Sequence, residues 1–151
     1  MKVKGQALKD ETILEIGRFT ILWNCFERDW CNNHCNPQTI KNKALSFKVD
    51  KETQANFAKV LNQRSYLFGQ LKMDYVKSSL HPERARSSSP EDIQAMCQFL
   101  EQHGDDKVYG CFLVIYRIRN NLMHGLKSLQ ELDGQIELFR AANDVLESLR
   151  I

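Results

Sequence analysis

The spacing of the apolar residues constrains this chain most: Ile16, Phe19, Trp23, Phe26 and Trp30 recur at intervals of three and four. At 3.6 residues per turn, that spacing draws one apolar face along a helix, and nowhere does the strict alternation of a half-buried strand replace it. A face so wide and aromatic has to be covered by other elements. The expected fold class is all-α, an up-and-down helical bundle of about five helices, with residues 1–151 forming a single domain.

The other helices follow from their end signals. Asp50 is a cap for a second helix whose stripe takes in Phe57, Val60, Leu61, Leu67, Phe68, Leu71 and Tyr75. Asn36 to Val49, with Pro37, reads as the loop before it, and Lys77 to Ser89 as an exposed loop after it. In Ser89-Pro90-Glu91-Asp92 a hydroxyl cap is followed by proline, whose missing N–H costs nothing in a first turn, and by two carboxylates that suit the helix dipole. A short helix to Leu100 follows, and another opens at Asp105 or Asp106 and ends where Gly125 supplies a terminator. Ser128-Leu129-Gln130-Glu131 reads as the capping box of the last helix, with Leu132, Ile136, Phe139, Val145, Leu146 and Leu149 facing inward.

A chain of 151 residues can bury about two-thirds of its unfolded surface, so its core needs no disulfide or metal. The longest uninterrupted apolar run, Cys111 to Tyr116, is far short of the roughly 18 residues of a membrane span, so no membrane partner is expected. The five cysteines read as small hydrophobes in a reducing compartment, and the expected location is cytoplasmic. A formal charge of +2 neither demands nor excludes nucleic acid. Lys41, Lys43, Lys48 and Lys51, and separately His81, Arg84 and Arg86, are local basic clusters that read first as solvated surface.

The chemistry is concentrated in Arg119-Asn120-Asn121-Leu122-Met123-His124-Gly125. Arginine offers planar, permanently charged recognition of phosphate oxygens, and histidine exchanges a proton near neutrality, so the pair handles a phosphodiester without metal or cofactor. Spacing alone also nominates Arg28 with His34 and Arg117 with His124. Spacing does not choose among the three pairs; the choice of Arg119 and His124 rests on the resemblance of the full string R-N-N-L-M-H-G-L-K to a known family signature. On a helical projection, Arg117, Asn120 and His124 gather opposite Cys111, Val114, Ile115, Ile118 and Leu122, with Arg119 on the flank, so the polar side is expected to face away from the core.

That nine-residue string resembles the signature of HEPN (higher eukaryotes and prokaryotes nucleotide-binding) domains, all-helical modules many of which are metal-independent ribonucleases. The resemblance implies a homodimer in which two copies of the motif helix form a composite cleft, RNA as substrate, and a toxin or antiphage role restrained by an antitoxin or other regulatory protein. Arg119 then clamps phosphate, His124 transfers protons and Asn120 orients the imidazole or a phosphate oxygen. Asn121 and Lys127 are supporting residues. Glu27, close to the stripe of Trp23, Phe26 and Trp30, needs a partner, for which Arg119, the histidine of a second copy or equally any other arginine at the edge of the core would serve.

Two other readings remain open on sequence grounds: a catalytically silent HEPN module that binds RNA or nucleotide in a larger complex, and a helical protein-interaction domain. Zinc is disfavoured. Cys25, Cys31, His34 and Cys35 contain no C-x-x-C pair, and adjacent His34 and Cys35 meet one ion poorly.

Overall fold

The computed structural model describes residues 2–3, 5–64, 66–67, 70–71, 89–124 and 132–149, with positions 3, 6, 66, 67, 70, 71, 123 and 124 described by backbone alone. Among them are six helices: α1 (Asp10–Trp30), α2 (Pro37–Ala44), α3 (Lys51–Asn62), α4 (Pro90–Glu101), α5 (Lys107–His124) and α6 (Ile136–Ser148). Two very short antiparallel pairings accompany them, β1 (Lys2–Val3) with β2 (Gln6–Ala7) and β3 (Tyr66–Leu67) with β4 (Gln70–Leu71). The fold class is all-α.

The aromatic stripe of α1 does what its spacing predicts. Phe19, Trp23 and Phe26 are buried, and their rings meet α5 and α6: Phe26 stacks on Phe112 at 5.1 Å, Trp23 lies 6.1 Å from Tyr116, and Phe19 meets Phe139 edge-on at 5.5 Å. Because the α1 number falls as the α5 number rises, the two helices run antiparallel. Phe47 closes the lower end of this seam, touching Phe26, Trp30 and Phe112. Helix α5 occupies the centre, with every residue from Tyr109 to Ile118 buried.

Two sequence expectations need correction. The stretch from Asn36 to Val49 holds helix α2 rather than only a loop. The Asn36 side chain accepts from the Thr39 N–H at 2.9 Å, the Thr39 hydroxyl accepts from the Asn36 N–H at 3.0 Å, and Pro37 starts the first turn. With only Ile40 and Ala44 pointing inward, eight residues are too few to draw a stripe. The second correction concerns α3, which ends at Asn62 instead of continuing toward Tyr75; Tyr66 and Leu67 pair with Leu71 and Gln70. The glycine at position 69 interrupts the apolar run in a way periodicity does not register. Tyr75, the Lys77 to Ser89 loop up to residue 88, the cluster of His81, Arg84 and Arg86, Gly125 and the Ser128 capping box lie outside the described residues.

The cysteine reading also changes. Cys31, at the end of α1, and Cys35 form a disulfide, their Cα atoms 5.1 Å apart. Asn32 and Asn33 both adopt positive φ, which reverses the chain and brings the two thiols together. Cys111 remains a buried thiol whose pKa burial pushes well up.

Helix α1 starts on a long-range contact that local capping rules do not anticipate. Lys9 at its N-cap makes no side-chain bond; instead Asp133 Oδ1 accepts from the Thr12 hydroxyl at 2.7 Å and from the Lys9 N–H at 3.1 Å. The Thr12 hydroxyl, then the Lys9 N–H and charge, hold the Asp133 carboxyl below the usual aspartate range. A depressed folded-state pKa contributes stability above the unfolded value and loses it as pH falls through the folded one. The melting temperature should therefore drop on acidification below about pH 4, and Asp133→Asn should flatten that part of the profile. Thr12→Val, which removes a fully buried hydroxyl, should cost about 1 kcal/mol in urea denaturation. An unchanged acid limb in Asp133→Asn would remove this contact as the cause.

Candidate functional site

The motif occupies the last turns of α5, which runs unbroken to His124. Five residues along a helix separate Arg119 and His124 by roughly 7.5 Å in height and about 140° in azimuth, so a long guanidinium arm has to reach round for the two to share a ligand. Arg119 is half-buried, and its Nη1 donates to Asn120 Oδ1 at 3.1 Å. Among the described residues no carboxylate lies within ion-pair distance of Arg119. A neutral amide fixes the guanidinium without offsetting its charge, which leaves it able to pair with an anion.

The helical projection misjudged the surroundings of this side of α5. Arg117 and Asn120 are each only 5 % exposed, and Leu113 on the same side is fully buried. A projection tells which residues share a side of a helix, not how many neighbours the helix has. Since α5 is central, the chain covers this side as well, and Arg119 is the partly accessible polar residue of the pair it forms with Asn120. Asn120 Oδ1 accepts from the guanidinium; its expected role toward the imidazole or a phosphate oxygen involves the His124 side chain, which lies outside the described residues. Asn121 is half-buried. His124 is the last helical residue and its side chain, like all of Lys127, lies outside what is described.

Glu27 does not meet Arg119. Its Oε2 accepts from the Trp23 indole N–H at 3.2 Å. The antiparallel register sets Glu27 near the level of Phe112, seven residues and roughly 10 Å of helix below Arg119. An indole one turn away on the same helix satisfies the carboxylate locally, a solution that i,i+4 spacing makes available in the sequence itself.

No group of three or more His, Cys, Asp or Glu among the described residues is arranged to hold a metal, and the disulfide takes up two thiols of the Cys25, Cys31, His34 and Cys35 set. No described helix is long and apolar enough to cross a membrane. No family model, no curated protein and no solved structure matches the chain.

Proposed function

We propose that the chain is a HEPN-type, metal-independent endoribonuclease acting as a homodimer. The observation that carries this reading is a continuous α5 bearing Arg119 and His124 in the motif order, with the Arg119 guanidinium held by an amide rather than a carboxylate. In the reaction, the RNA 2′-oxygen attacks phosphorus as its proton passes to one imidazole. The bond to the 5′-oxygen breaks as a second imidazole, from the other copy, returns a proton to it, and the arginines stabilise the charge that builds on phosphorus. The products are a 2′,3′-cyclic phosphate and a 5′-hydroxyl, and DNA, which lacks the nucleophile, resists. A toxin or antiphage role under the control of an inhibitory partner goes with this reading, while the Cys31–Cys35 disulfide removes the cysteine argument for a reducing, cytoplasmic location.

The test is incubation of the purified protein with labelled single-stranded RNA in EDTA, with Arg119→Ala and His124→Ala taken through the same preparation. Cleavage lost in both variants supports the assignment. Cleavage equal in all three preparations means a contaminant, and the assignment fails. A second reading, an RNA- or nucleotide-binding module without turnover, is favoured by the burial of Arg117 and Asn120, which gives much of the motif side a structural setting. Binding without cleavage decides for it.

A further inference from the structure

We propose that the outward face of α1 is a self-association surface on which a second copy of this chain packs antiparallel. Opposite its aromatic stripe, α1 carries Asp10, Leu14, Gly17, Ile21, Cys25 and Arg28 within a narrow band of azimuth. Leu14 is 71 % exposed and Ile21 66 %, two of the three large apolar side chains left most open among the described residues. Gly17 lies between them, and a Cβ built there meets nothing within 4 Å, so the stripe has a notch at its middle.

The charge pattern specifies the occupant. Asp10 and Glu11 lie in the first turn and Arg28, beside Asp29, in the last, so on this face an acidic end and an end bearing one cation bracket the apolar middle. Turned end for end about a two-fold axis at the level of residue 19, α1 complements itself: Ile21 of each copy seats against Gly17 of the other, Leu14 faces Asn24 and Cys25, and Asp10 faces Arg28. Antiparallel helix dipoles favour the same arrangement. Arg28 already bonds Asp29 through Nε and Nη2, at 2.7 and 3.2 Å, so the terminal ion pairs are shared and serve mainly to set direction. Each contact occurs twice, as a closed isologous pair requires. One helix face alone buries less than the roughly 1,200 Å² of a standard interface, which points to a reversible dimer of micromolar strength.

This surface does not depend on the ribonuclease reading. Trp23 and Phe26, on the opposite side of α1, face α5, so this pairing does not bring the two motif helices together. Sedimentation velocity of the full chain from about 1 to about 200 μM should show a reversible, concentration-dependent association step, monomer to dimer or, where the chain already pairs through α5, dimer to larger species. Gly17→Gln, whose Cβ meets nothing within 4 Å in the monomer and whose side chain fills the notch, should weaken it at least about tenfold with helicity unchanged. Arg28→Glu should weaken it and Asp10→Lys with Arg28→Glu should restore it. Leu14→Cys should form an oxidised dimer that Cys25→Ser abolishes. A chain monomeric throughout, or a dimer indifferent to Gly17→Gln and Ile21→Glu, overturns the surface; an oxidised dimer linked Leu14→Cys to Leu14→Cys overturns its direction. A chain monomeric throughout removes the homodimer of the ribonuclease reading as well, whereas association indifferent to Gly17→Gln and Ile21→Glu overturns the α1 surface alone and loss of RNA cleavage in Arg119→Ala bears only on the ribonuclease.

Discussion

Arg119→Ala should lower metal-free cleavage of single-stranded RNA by about 10²- to 10³-fold while leaving the circular dichroism spectrum and melting temperature close to those of the parent. The magnitude is that of removing one preorganised donor from a transition state on which negative charge accumulates. Preservation of the fold follows from the setting of Arg119, which is half-buried, bonded to the neighbouring Asn120 and free of ion pairs among the described residues. Arg119→Lys should recover little, because an ammonium keeps the charge but loses the planar fork. His124→Ala should cost about 10²- to 10⁴-fold, the range for a general acid–base group. Asn120→Ala should fall between parent and Arg119→Ala, since it releases the guanidinium without removing it. Single-turnover rates on an RNA with one cleavage site separate these cases; equal loss of melting temperature and rate in Arg119→Ala would assign the residue to the fold instead.

The largest structural effect should come from Gly110. On α5 it faces α4 so closely that a Cβ would collide with the backbone carbonyl of Ala95 and crowd the Met96 nitrogen. Backbone cannot rotate aside as a side-chain end can. An alanine in mid-helix would ordinarily gain about 1 kcal/mol over glycine. Here the collision should outweigh that gain, giving a net loss of about 3 kcal/mol for Gly110→Ala and no cooperative unfolding at all for Gly110→Val. Against a typical stability of about 5 to 15 kcal/mol, the first remains measurable by urea denaturation. Stabilisation of Gly110→Ala would show that α4 and α5 stand further apart. Gly104 differs: its positive φ and the nearby Gln98 side chain constrain it, but that side chain is a flexible end rather than backbone.

Much of this fold was legible because the signals are local. Ser89 accepts from the Asp92 N–H at 3.2 Å and Asp50 from the Glu52 N–H at 3.3 Å, as their positions before helical stretches implied. The α1 stripe and the inward residues Leu132, Phe139, Val145 and Leu146 are where the three- and four-residue spacing put them. The same locality explains the errors. Helix α2 is too short to be periodic, and α3 was carried too far because apolar residues continue past Asn62 in a different geometry.

For the site, the residue types and their order on one helix were readable, while their surroundings were not. Glu27 found its partner four residues away, Asn120 holds Arg119, and Arg117 lies buried on a side that looked polar and open. What the amino-acid order settled by itself is whatever neighbours within one or two turns decide: where α1, α4 and α5 run, which face of α1 is aromatic, and that Arg119, Asn120 and His124 share a helix. Only tertiary packing decided that α5 is central and its polar side covered, that Asp133 anchors the start of α1 and that Leu14 and Ile21 are left outside, because burial depends on how many distant segments converge on a residue and no local pattern encodes that number.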